Sequence, residues 1–121
     1  MRYEIIVNQE KNRLILVAEG FFNVEQAQEA IDAIKTAVMQ LQPGFDYITD
    51  NRTFKAGSPK VAEIIAELNN FIIKYGVNRM IGIASENVIG QMQLERVSNQ
   101  VGANFVAAPS IEAAEALLDN E

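Results

Sequence analysis

The chain has 121 residues, 49% of them hydrophobic, which suits one domain with its own core spanning 1–121. It contains no histidine and no cysteine, which excludes disulfides, thiolate catalysis, a Ser-His-Asp triad and His- or Cys-ligated transition metals. A formal charge of −6 repels phosphate backbones, so no nucleic-acid partner is expected.

Tyr3 to Asn8 and Arg13 to Glu19 are β-rich runs separated by the polar Gln9-Glu10-Lys11-Asn12, the pattern of an antiparallel hairpin. After Gly20 the period changes. Ala27, Ile31, Ile34, Val38 and Leu41 mark one face of an amphipathic helix, with Asn23 as N-cap, Gln26 closing a capping box, and Pro43-Gly44 as the stop. Phe45 to Thr49 reads as a third strand. Ser58 and Pro59 open a second helix carrying Val61, Ile64, Ile65, Leu68, Ile72 and Tyr75, and Gly76 ends it. Asn78 to Ala84 reads as a fourth strand. Ser85 is the expected cap of a third helix with Val88, Ile89, Met92 and Val97 as its apolar residues, ending at Gly102. Ala103 to Ala107 follows as a fifth strand. Ser110 caps a last helix with Ile111, Ala114, Leu117 and Leu118 inward.

The order is ββαβαβαβα, an α/β chain whose alternation after the hairpin implies parallel pairing. The expected sheet is five-stranded and mixed, with the first strand as its antiparallel member and open edge, through which a homodimer is expected. The longest uninterrupted apolar run, Leu14 to Ala18, is too short to span a bilayer. No apolar stretch like a signal peptide follows Met1, and the expected location is the cytoplasm.

This arrangement resembles the STAS domains (sulfate transporter and anti-sigma-factor antagonist), especially a divergent stand-alone bacterial SpoIIAA-like type. The resemblance rests on the hairpin YEIIVNQEKNRLILVAEG, the helix NVEQAQEAIDAIKTAV, the segment FDYITDNRTFKAGSPKVAEII and the strand–helix pairs after it. It implies helices mainly on one face of the sheet, and a regulatory, non-catalytic role exercised by docking protein partners; some members bind nucleotides or lipids. It also implies a D-S-S-G-like turn with a phosphorylated serine at the helix after the third strand. Here Ser58 stands at the acidic position of that motif and Pro59 and Lys60 at the serine positions, so one hydroxyl survives.

Several residues are candidates for a site. Ser58 is either an N-cap alone or a hydroxyl whose phosphate would sit on a helix N-terminus. Asp50, Arg52 and Lys55 form a polar cluster after the third strand, and Gly20, Asn23, Asp50, Ser58 and Ser85 belong near the carboxyl edge of the sheet, where α/β folds bind ligands. A small anion held near Arg52 and an ordinary solvated loop both fit this cluster. Gly57 and the loop before Ser58 imply mobility. Phe21-Phe22, joined by Phe54, is either an exposed aromatic patch or partly core. Gly57-Ser58-Pro59-Lys60 lacks the spacing of a phosphate loop. Asp50 and Ser85 are placed as in a phospho-receiver domain, but no lysine follows the fifth strand.

The leading expectation is therefore a protein-interaction module docking through residues 50–60. The alternative is a small-ligand carrier or sensor, for a lipid or nucleotide, with a pocket between the carboxyl edge and the Phe21, Phe22 and Phe54 loops. A closed apolar cavity there favours the carrier, and a flat exposed patch favours docking. No catalytic residues, cofactor or metal are expected.

Overall fold

A computed structural model describes residues 2–120. The hairpin comes first, with β1 (Arg2–Asn8) antiparallel to β2 (Arg13–Glu19) and Ile5 opposite Leu16. Asn12 takes a positive φ of 52° to close the turn, a conformation that asparagine tolerates better than most residues. Three βα units follow: α1 (Val24–Val38) and β3 (Asp46–Asp50), α2 (Pro59–Lys74) and β4 (Met80–Ile83), α3 (Val88–Val101) and β5 (Phe105–Ala107). Helix α4 (Ile111–Asp119) ends the chain. The sheet order is β1-β2-β3-β4-β5, parallel from β2 onward, so the fold is the expected five-stranded mixed α/β sheet.

The helix starts at Asn23, Ser58 and Ser110 obey local capping chemistry. Asn23 and Gln26 form the reciprocal capping box, and Ser58 and Ser110 each accept from a backbone N–H three residues on. The start of α3 departs from expectation. Asn87, not Ser85, is its N-cap, accepting from Gly90 N–H at 2.7 Å. Ser85 is instead engaged in tertiary structure, its hydroxyl donating to the Phe54 carbonyl at 2.6 Å. Gly90 and Val97 are the buried residues of α3, with Leu94 and Val101 partly buried, so Val88, Ile89 and Met92 project outward. Strands β4 and β5 are also shorter than their apolar runs. Asn78 and Arg79 bond the Asp46 carboxylate as well as the backbone of Phe45 and Tyr47, and the strand register begins at Met80 opposite Tyr47.

Alternation along the strands divides the core. Leu14, Leu16, Tyr47 and Met80 face α1 and α2, with Leu94 and Val101 of α3 packed at the margin of that cluster. Ile15, Ile48, Ile81 and Ile83 face the opposite way, onto Ala114 and Leu118 of α4. Helices therefore lie mainly, not wholly, on one face. Leu117, expected inward, is 46% exposed. Among the described residues, no helix is long and apolar enough to cross a membrane.

Candidate functional site

The loop after β3 is fastened on both sides. Gly20 N–H donates to the Thr53 carbonyl and Lys55 N–H to the Gly20 carbonyl, each at 2.9 Å. On the α3 side the Gln93 amide grips Gly57 twice, accepting from its N–H at 2.9 Å and donating to its carbonyl at 2.8 Å. These bonds replace the mobility expected from Gly57 with a clamp. Glycine serves close approach here instead: a Cβ at Gly57 would lie 2.6 Å from Val61 Cγ1.

Asp50 and Arg52 come together as a self-contained pair. Asp50 is buried and accepts from Arg52 Nε at 3.1 Å and Nη2 at 2.8 Å, and from the Arg52 backbone N–H at 3.1 Å. That hydrogen bonding, with the Asp50 charge, raises the Arg52 pKa above its ordinary value. The pair borders a cleft of about 150 Å³ that also contains Glu19 and Glu86. A guanidinium committed to one carboxylate, with two more nearby, is poorly disposed to hold an anion.

The larger opening lies elsewhere, between the sheet and α1, α2 and α3. It is a cavity of about 550 Å³, within the usual range for small-molecule sites. Small residues on facing elements create it: Gly82 and Ala107 on the sheet, Ala27 and Ala30 on α1. Buried Phe22 and Phe54 line it with ring centroids 6.3 Å apart. Its exposed lining residues are Ala84 just after β4, Glu95 and Asn99 on α3, and Asn104, Val106 and Ala107 around β5, which places the mouth mainly on the α3–β5 side.

Neutral polar groups interrupt the apolar wall. Tyr47 is 1% exposed, and burial raises its phenol pKa well above the ordinary value, an effect that a hydrogen bond with Thr49 partly offsets. The Thr49 hydroxyl donates to Asn51 Oδ1 at 3.2 Å. Asn69, in mid-α2, is 5% exposed and its side-chain amide has no partner among the described residues. Among the described residues, no lysine or arginine lines the cavity, and the one carboxylate in its lining, Glu95, is exposed.

The expected site residues thus separate. Phe22 and Phe54 belong to the cavity wall, while Phe21 is 60% exposed, so the adjacent pair forms no common patch. Asp50 and Arg52 belong to the small cleft, Lys55 and Ser58 are exposed, and Gly57 is held by Gln93. Tyr47, Thr49, Asn51 and Asn69 were not among the expected residues. For Asn69 a signal existed: it lies four residues after Ile65 and three before Ile72, on the apolar stripe of α2. Among the described residues, no group of three or more acidic, histidine or cysteine side chains is placed to hold a metal ion. A comparison with protein-family models finds no match, and a comparison with curated proteins finds no significant one.

Proposed function

We propose that this chain is a small-ligand-binding module, a carrier or sensor that holds a largely apolar molecule between its sheet and α1–α3. The cavity of about 550 Å³, with Phe22 and Phe54 in its wall, carries this reading. Binding rather than catalysis fits the lining. Its buried polar groups are amides and hydroxyls, Tyr47 is held protonated at neutral pH, and no buried carboxylate or amine is present to move a proton. The order ββαβαβαβα supports a STAS-like architecture whose ligand site is this cavity.

A valine at position 82 tests the reading. A Cβ there meets Phe105 at an ordinary 3.5 Å, and a β-branched residue suits a strand, so Gly82→Val should fold while filling the cavity floor. Wild-type protein should take up one equivalent of the neutral dye Nile red, and the variant should bind it at least about tenfold more weakly. Native mass spectrometry of protein from its own host should show a retained small molecule. No dye uptake by the wild type would end this reading.

One observation favours docking as a second reading. Val88, Ile89 and Met92 are 73%, 68% and 55% exposed at the start of α3, and Phe21 is exposed at the same carboxyl edge of the sheet. A protein partner seated there would cover them. Pairing of two copies through the β1 edge belongs to the same reading.

A further inference from the structure

Resting on the cavity reading, we infer that the ligand is an uncharged amphiphile whose head both donates and accepts a hydrogen bond, and that Asn69 reads that head. Asparagine is a poor residue for a helix interior, and a buried amide without a partner is costly. Asn69 carries the first, and its amide, which keeps accessible surface in the cavity lining, has no protein partner among the described residues. It lies in the middle of α2 between Leu68 and the half-buried Asn70, is 5% exposed, lines the cavity, and has no hydrogen bond among the described residues. A bound group with matching donor and acceptor would give this amide the partners that the protein does not supply.

The amide offers one acceptor oxygen and two N–H donors. It therefore suits an alcohol or a carboxamide, which can answer both. The hydroxyls of Tyr47 and Thr49, on the sheet side of the same cavity, add neutral partners. Charge argues against an ionised head. Among the described residues, no cation lines the cavity to compensate a carboxylate or phosphate, and Glu95 at the mouth repels either one. An ammonium would find no buried carboxylate among the lining residues. The remaining wall, with Ile31, Ile64, Leu68 and Leu94, is aliphatic and suits the tail.

The test is displacement of Nile red from the intact protein at pH 8 by four probes of equal chain length: octan-1-ol, octanamide, octanoate and octane. Octanol and octanamide should displace the dye at concentrations at least about tenfold lower than octanoate or octane. Asn69→Leu, which suits a helix and leaves no unpaired amide, should erase that advantage, with each probe's displacement referred to the variant's own Nile red affinity. Asn69→Ala should do the same, and far-UV circular dichroism checks that both variants fold. Four equally effective probes, or an advantage that survives both substitutions, would overturn the role of Asn69 and leave the cavity reading standing. A wild-type protein that takes up no Nile red would remove the cavity reading and this inference together.

Discussion

The two faces of the sheet are built on opposite terms. On one, α1–α3 stand over a space of about 550 Å³, and the polar groups beneath them are neutral. On the other, the nine-residue α4 lies directly on Ile15, Ile48, Ile81 and Ile83, and the polar groups are ionised. Arg13, 3% exposed, donates to Glu115 at 3.0 Å and Asp119 at 2.8 Å, tying β2 to α4. Burial works against the Arg13 charge, but these bonds outweigh it and raise the pKa. The smaller face is a close-packed joint, and the larger one gives up packing for room. A void in a protein interior forfeits dispersion contacts, so a chain that keeps one has a use for it or a weakness there.

Truncating one isoleucine on each face is the strongest way to break that contrast. Ile48 is 0% exposed and sits inside the α4 joint, where neighbours have little freedom to close a hole. Ile48→Ala should cost about 4 kcal/mol in urea unfolding. Ile64 already borders the cavity, so Ile64→Ala enlarges a space that exists and should cost about 2 kcal/mol. Equal losses would mean that the space over the sheet is closed in solution.

Local chemistry explains which parts of this contrast could be read from residues alone. Asn23, Ser58 and Ser110 act on N–H groups three residues away, so their caps were legible without any tertiary information. Ser85 was not, because Ser85 and Asn87 are both cap-forming residues and the Phe54 carbonyl, distant in sequence, decides between them. The inward face of α3 is set by Gly90, Leu94, Val97 and Val101, spaced four, three and four apart, which leaves Val88 and Ile89, apolar and helical, outside the core. The cavity was hidden for a related reason. A void belongs to no segment: it arises where Ala27, Ala30, Gly82 and Ala107, each unremarkable alone, meet across layers. The cavity includes Phe22 and Phe54 but not Phe21, and it runs under the helices toward β5 rather than lying between the carboxyl edge and the Phe21, Phe22 and Phe54 loops.

Ser58 sharpens the comparison from outside both faces. It is exposed and is absent from the cavity lining, and its oxygen accepts from Val61 N–H at 3.3 Å. Ser58→Ala should lower stability by about 1 kcal/mol, measured by thermal or urea unfolding. Ser58→Asp should retain the cap and gain from the helix dipole. Neither change should alter Nile red affinity. A change in affinity with Ser58→Asp at full stability would connect the helix start to the ligand site and revive a switch at this hydroxyl.

The smallest effect concerns the ionic joint and distinguishes the faces by pH. Asp119 has its pKa held below the ordinary carboxylate value, first by its hydrogen bond with Arg13 and then by Lys11, whose Nζ is 3.1 Å away. A carboxylate whose folded pKa is depressed contributes stability above its unfolded pKa, and that contribution is lost as pH falls through the folded value. The window therefore opens at about pH 4 and extends downward. Asp119→Asn should flatten this part of the urea midpoint against pH while leaving the profile above about pH 5 parallel to wild type. High salt should shrink the wild-type slope, because both Lys11 and Asp119 are partly exposed to solvent. Ligand uptake should not follow this titration, since Asp119 lies on the α4 face and every buried polar residue lining the cavity is neutral. If dye affinity fell in step with the Asp119 titration, the two faces would be mechanically coupled through β2, and the independence assigned to them here would be lost.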